Sequence, residues 1–231
     1  MGHRLTLSMI VHNEAHRHLR EVLRSAAKYV DDAVIIDDAS SDETIPVIAE
    51  ELERIPYRIV HNKESKFANE VDLRRQQWEE TFASDPEWIL TLDADEVFEK
   101  SFVENVKSML DSASSDAFYF RLYDMWSETH YRDDRFWSAH NYYRPFLVRA
   151  LFRDWTWKET SQHCGRFPIE VHDLSYTCSP YRLRHLGWSR AEDRAAKYER
   201  YMRLDPEGIH GWIDQYKSIL DPNPNLAAWV E

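Results

Sequence analysis

Cysteine is nearly absent from this chain. Cys164 and Cys178 are its only two in 231 residues; they sit in no metal-ligand spacing, and one pair makes no disulfide scaffold. Reduced thiols follow, in a cytoplasmic protein or one peripheral at a membrane. Long apolar runs are missing too. None approaches the roughly 18 residues needed to span a bilayer, so no integral membrane segment is expected, and the first residues lack the apolar region of a signal peptide. There is no low-complexity tract, no Gly/Ser or Pro run and no internal repeat, which argues against a disordered chain. Basic charge is in deficit. Lys and Arg total 29 against 41 Asp and Glu, for a net charge of −12. Phosphates would be repelled over most of such a surface, so no nucleic-acid partner is expected. A small basic patch or a divalent cation could still hold a diphosphate.

What is present is a core-forming chain, 43% apolar, long enough for one large domain. Leu5 to Val11 is short and apolar, as a buried strand should be. Further strands are expected at Ala33–Ile36, Tyr57–His61, Trp88–Leu92 and Ala117–Tyr123. Between them fall helical patterns. Leu19, Val22, Leu23, Ala26 and Val30 recur at three- and four-residue steps, as do Ile45, Ile48, Leu52 and Ile55. Ser40 and Glu43 have capping-box spacing, which starts the second helix there. A third helix spans about 68–84, with Val71, Trp78 and Phe82 inward and Arg74 on the same side. A fourth covers 99–112. Alternating strands and helices define an α/β protein with a mostly parallel central sheet flanked by helices. Such sheets bind ligands at the carboxyl ends of their strands. His12-Asn13-Glu14, Asp37-Asp38 and Asp93-Ala94-Asp95 all stand there.

Beyond about residue 125 the periodicity fades. Trp126, Tyr131, Phe136, Trp137, Tyr142, Tyr143, Trp155 and Trp157 interleave with charges. Most of these rings read as the core of a smaller, irregular half, although an aromatic platform for an acceptor is the alternative. A strand at Tyr181–Leu186, a helix near 190–203 and a short helix at 210–220 complete the pattern.

Asp93 and Asp95 carry the sharpest chemistry. Two carboxylates two residues apart at a strand end can aim at one point, and they are hard oxygen ligands suited to Mg²⁺ or Mn²⁺. An ion there would offset charge on a departing nucleoside diphosphate. Asp38 can accept hydrogen bonds from a ribose or base, or simply cap a turn. Arg74 is either a fork for phosphate or base or a snorkelling side chain. His185 is either a core histidine or a nitrogen ligand beside Asp95, with Gly187 allowing close backbone approach.

Three segments in order, Ser8-Met9-Ile10-Val11-His12-Asn13-Glu14, Val34-Ile35-Ile36-Asp37-Asp38-Ala39-Ser40-Ser41-Asp42-Glu43-Thr44 and Ile89-Leu90-Thr91-Leu92-Asp93-Ala94-Asp95-Glu96, resemble family 2 glycosyltransferases of the GT-A (Rossmann-like) fold. The likeness covers residues 5 to about 123. It extends more thinly through His185-Leu186-Gly187-Trp188 and Lys197-Tyr198-Glu199-Arg200-Tyr201. The resemblance implies a nucleotide-sugar-binding half, 1–125, and an acceptor-side half, 126–231, of one catalytic domain. It implies a nucleotide-diphosphate sugar as donor, with UDP first, and Mn²⁺ or Mg²⁺ as cofactor. The acceptor would be a glycan, a lipid-linked species, a small molecule or a peptide. Asp38 would contact the nucleoside, Arg74 the nucleotide, and Asp93 the ribose or metal-bound water. Asp95 and His185 would hold the metal. Inversion would need a carboxylate or similar base. Here the match departs from the family pattern, leaving Glu159 first and His163 next, with Asp173 behind them. Two rivals stand beside the enzyme: a non-catalytic nucleotide-sugar-binding protein, and a nucleotidyltransferase, against which the missing Gly-rich basic loop after the first strand counts.

Overall fold

The computed structural model describes residues 3–151, 154–160, 164–209 and 211–231. Four parallel strands form the first part of the sheet: β1 (Leu5–Val11), β2 (Asp32–Asp37), β3 (Tyr57–His61) and β4 (Trp88–Thr91). They lie in the order β3-β2-β1-β4, with Met9 opposite Ile35 and Ser8 opposite Thr91. Their helices are α1 (Leu19–Ala26), α2 (Thr44–Glu51) and α3 (Glu70–Phe82). β1 and β2 are almost wholly buried, as expected of parallel strands covered on both faces. Chain order reverses between β1 and β4, so the crevice at their carboxyl ends is the switch point where such sheets take ligands.

The sheet then continues in a way the periodicity did not announce. β5 (Glu96–Phe98) precedes α4 (Lys100–Asp111). β6 (Ala117–Asp124), β7 (His130–Arg132), β8 (Tyr143–Arg149) and β9 (Tyr176–His185) follow. The eight-stranded sheet runs β3-β2-β1-β4-β8-β6-β9-β5. β8 is antiparallel to both β4 and β6, β9 is parallel to β6, and β5 is antiparallel to β9. Among the described residues four of the seven ladders are thus parallel. β8 escapes a sequence reading because Pro145 interrupts it. The β4 ladder ends at Leu147, so Pro145 faces a partner on one side only, where a missing N–H is tolerated.

The second helix also begins later than the capping box suggests. Its first residue is Thr44, whose N–H donates to Asp42 Oδ1 at 3.0 Å, while Ser40 Oγ accepts the N–H of Asn13 at 2.9 Å. Asp42 therefore does the capping, and Ser40 ties the β1 and β2 loops together. The remaining elements are α5 (Ala191–Leu204), α6 (Ile213–Ser218) and β10 (Leu226–Ala228), which pairs with β7. Trp126, Trp137 and Trp157 are buried, as core rings should be, whereas Tyr142 and Tyr143 stay exposed. Among the described residues no helix is long and apolar enough to cross a membrane.

Candidate functional site

The polar strand ends meet as the pattern implies. Glu14, Asp38, Arg74, Asp93, Asp95 and His185 all line one cleft of about 490 Å³, which α5 borders with Lys197, Arg200 and Tyr201. Two left-handed residues shape its rim. Asn13 (φ 53°) and Ala39 (φ 62°) stand two residues past the ends of β1 and β2, respectively. Asparagine tolerates that region, but alanine pays about 1 kcal/mol for it. The strain is held by cross-loop bonds: His12 Nδ1 donates to the Asp38 carbonyl at 2.6 Å and Ser41 N–H to Asn13 Oδ1 at 2.7 Å.

Asp38 is buried, and its carboxylate accepts from Ser65 Oγ (2.7 Å), Lys66 N–H (2.9 Å) and Asn62 Nδ2 (3.0 Å). Burial works against its charge, but these donors outweigh it and hold the carboxyl below the usual carboxylate range. In this state Asp38 organises the 62–66 loop at the cleft wall.

Asp93 sits between two guanidiniums. Arg74 Nη2 donates to Oδ1 at 3.2 Å and Arg166 Nη2 to Oδ2 at 3.1 Å. Against the opposing effect of burial, these two cations keep the Asp93 carboxyl below its ordinary range. Arg166 also grips buried Glu96 through both nitrogens, at 2.6 and 2.7 Å, and donates to the Thr91 carbonyl at 2.9 Å. Glu96 in turn accepts the Asp93 N–H at 2.8 Å. The turn that presents Asp93 and Asp95 is thereby built on a buried ion pair.

Asp95 Oδ2 lies 3.5 Å from His185 Nε2 and 3.6 Å from Lys197 Nζ. On its other side, His185 Nδ1 is 2.7 Å from Asp124 Oδ1. The registers explain the arrangement: Asp124 pairs with His185 across β6 and β9, and Glu96 with His185 across β5 and β9. Burial disfavours the imidazolium, but Asp95 and Asp124 override it and push the His185 pKa up to about 10. The same cations, opposing the effect of burial, drive Asp95 far below the carboxylate range. A group whose folded pKa lies above its unfolded value stabilises fully below the unfolded pKa and loses that contribution as pH rises through the folded one. The metal-free protein is therefore expected to lose thermal stability between pH 6.5 and about 10 from His185. Asp124→Asn should flatten that slope in a melting series and lower the His185 pKa read by NMR. An unchanged titration would refute the Asp124 contact.

These residues fit a divalent ion. Two ligands about 2.1 Å from one ion and at right angles stand about 3 Å apart, close to the Asp95–His185 separation. Asp124 behind the imidazole is placed as a carboxylate that would orient His185 if it ligated an ion. Among the described residues no group of three His, Cys, Asp or Glu side chains is placed to hold a metal by itself, so the set would be completed by substrate phosphate and water, as is usual for Mg²⁺-type sites.

Of the base candidates, Glu159 lies elsewhere. Glu159 is mostly exposed and pairs with Arg75 of α3 at 2.8 Å, and it is not among the cleft-lining residues. His163 lies outside the described residues. Asp173 ends a short 3₁₀ segment, Ile169–Asp173, also away from the cleft lining. Glu14 does line the cleft. It is bonded to Arg17 at 2.9 Å, and its Oε2 is buried without a hydrogen-bond partner. Burial, resisted by Arg17 and reinforced by Asp95, pushes its pKa up to about 7. The sequence assigns no role to Asp124 or Arg166, and names Lys197 only within a segment of resemblance. Asp124 had a usable signal, a carboxylate ending an apolar strand, whereas Arg166 sits in an irregular segment with none.

A mostly parallel sheet flanked by helices, with a carboxylate–histidine pair at its switch point, defines the α/β class of the fold. The model of glycosyl transferase family 2 matches residues 6–186, and the chain belongs to that family. Its fold is similar to that of TarS from S. aureus, with a TM-score of 0.59 at 14% identity over 94% of this chain and 42% of that one. TarS 1-349 in complex with UDP-GlcNAc gives a TM-score of 0.56 at 13% identity, covering 94% and 70%. The fold is thus of the GT-A type. Uncharacterized proteins of Mycobacterium bovis and Mycobacterium tuberculosis are each 24% identical over 227 residues, covering 87% of this chain and 51% of theirs. The chain spans about half the length of these curated relatives.

Proposed function

We propose that this chain is the catalytic unit of a glycosyltransferase that moves a sugar from a nucleoside-diphosphate donor, a UDP-sugar first, to a hydroxyl of a glycan, lipid-linked, small-molecule or peptide acceptor, with inversion and with Mn²⁺ or Mg²⁺. The observation that carries this reading is the pair Asp95 Oδ2 and His185 Nε2, 3.5 Å apart, at the switch point of a family 2 sheet. The UDP-GlcNAc complex of a protein of similar fold supports UDP as the first donor to test. An ion between Asp95 and His185 would supply charge neutralisation to the leaving diphosphate. Asp38 and its 62–66 loop receive the nucleoside. Arg74 turns from Asp93 toward the nucleotide, and Asp93 is left to the ribose or to metal-bound water. The acceptor oxygen attacks the anomeric carbon, the bond to the diphosphate oxygen breaks with its electron pair, and the acceptor proton goes to a base. Glu159 and His163 remain proposed for that role. Glu14 joins them, because its pKa of about 7 suits proton uptake near neutral pH.

The test is a panel of nucleotide sugars with and without Mn²⁺, read as release of nucleoside diphosphate to water or acceptor. Release of UDP supports the reading, whereas pyrophosphate release would point to nucleotidyl transfer. A folded protein that binds none of UDP, GDP or dTDP would leave only a non-catalytic role.

A further inference from the structure

We propose that Lys197 is a resident cation of the donor site: it stands at Asp95 in the empty protein, gives way when a divalent ion binds there, and turns its ammonium to the donor diphosphate, so that nucleotide is also held without metal. This rests on the nucleotide-diphosphate reading above and deepens it.

The placement of Lys197 is unlike that of a surface lysine. Its side chain is 11% exposed, yet it belongs to α5, a helix with no buried residue. The ammonium lies 4.2 Å from the centroid of the Trp188 ring and 3.6 Å from Asp95 Oδ2. Neither contact is a directed hydrogen bond. An ammonium has three donors, and at these ranges the ring and the carboxylate hold it by charge alone. All three N–H groups stay available to an acceptor entering the cleft that Lys197 lines. Space for this contact depends on Gly187, since a Cβ there would collide with both Asp95 Oδ2 and Lys197 Nζ. The chain therefore omits a side chain at the one point where carboxylate and ammonium converge.

Competition follows from the same geometry. Asp95 Oδ2 is the atom that meets both His185 Nε2 and Lys197 Nζ. An ion bound to Asp95 and His185 would meet the ammonium at close range, and like charges repel most strongly in a partly buried site. The stem of four methylenes lets the ammonium turn aside. The diphosphate, which brings the acceptor oxygens that Lys197 lacks, is where it turns. Arg17 and Arg200 line the same cleft, but Arg17 is already paired with Glu14 and Asp193.

The experiment uses the full chain, wild type and Lys197→Met, with Lys197→Arg as the charge-retaining control. Mn²⁺ binding without nucleotide is followed by electron paramagnetic resonance, and UDP binding in EDTA by calorimetry. Lys197→Met is expected to bind Mn²⁺ about tenfold tighter and to lose about tenfold or more in metal-free UDP affinity, the scale of one charge-assisted contact. Lys197→Arg should keep most of the metal-free affinity. Unchanged or weaker Mn²⁺ binding in Lys197→Met overturns the proposal. So does wild-type protein that binds UDP with Mn²⁺ but not in EDTA, a result that needs no variant to fold. If wild type binds UDP in neither condition, the donor-site reading itself fails, which is a separate outcome.

Discussion

Asp95→Ala is expected to abolish metal-supported UDP binding and to lower kcat/KM by about 100- to 1000-fold, the loss typical of removing one group that stabilises developing charge. Among the described residues Asp95 is the only cleft carboxylate that contacts both His185 and Lys197. Its loss removes one of the two proposed protein ligands and also leaves His185 and Lys197 without the carboxylate between them. Asp124, 2.7 Å from Nδ1, is then the carboxylate left to raise His185, while Lys197 is left with the Trp188 ring, so the apo protein should tolerate the change poorly. Asp95→Asn separates the two effects. It keeps the volume and a carbonyl oxygen, so the fold should hold while Mn²⁺-dependent binding is lost. Calorimetry with UDP, run with and without Mn²⁺ beside circular dichroism, checks both. If Asp95→Asn binds Mn²⁺ and UDP as wild type does, the ion does not use this carboxylate and the site must be redrawn.

The first half of the fold was legible because β1, β2 and β4 are buried and α1 and α2 carry plain stripes. Leu5–Val11, Tyr57–His61 and Ala117–Tyr123 match β1, β3 and β6 to within a residue; β1 reads as the unbroken apolar run of a covered parallel strand, whereas β3 stands partly exposed at the sheet edge. In the second half the helices expected near 190–203 and 210–220 match α5 and α6, but strands were missed or cut short for equally local reasons. β8 contains Pro145, β6 shifts register at Phe118/Tyr119 against β8, and it shifts again between Tyr119 and Arg121 against β9. β9 is mostly exposed before Tyr181 and contains Pro180. None of these strands offers the strict alternation on which sequence recognition depends.

Strand ends made the donor side of the site readable in the same way. A carboxylate directly after an apolar run, as in Asp38, Asp93 and Asp95, needs no knowledge of the fold to be suspected. The sequence left His185 open between a core histidine and a ligand, because Asp124, the carboxylate beside it, is 61 positions away. Arg166 is 70 positions from Glu96, and nothing in the segment that carries it marks an inward-pointing guanidinium. Contacts of this kind are set by the register between β5, β6 and β9. Sequence patterns report which face a side chain takes but not which strand lies beside it.

That hidden contact carries the largest expected effect on stability. Arg166 is mostly buried and gives both terminal nitrogens to Glu96, whose side chain is 2% exposed. It also lies 4.3 Å from the centroid of the Phe146 ring. The surrounding carboxylates outweigh burial and raise the guanidinium pKa above its ordinary value, so its charge is never in question. Arg166→Met keeps the stem and its contact with Phe146 but strands Glu96 with only the Asp93 N–H for company. Breaking a buried pair from one side costs about 3–5 kcal/mol, because the remaining charge is uncompensated. For a domain of this size that is a fall of about 10 °C in Tm. The double variant Arg166→Met/Glu96→Gln removes the stranded charge and should recover a substantial part of the loss, a non-additivity of neighbouring groups that a double-mutant cycle measures. Lysine at 166 should fall between, since it restores charge without the planar fork that spans Glu96, Asp93 and Thr91. Because the same fork fixes the turn bearing Asp93 and Asp95, the single variant is expected to weaken UDP binding even well below its Tm. A single variant within about 1 kcal/mol of wild type, with no recovery in the double, falls in the range of an exposed ion pair and would mean that Glu96 is solvated.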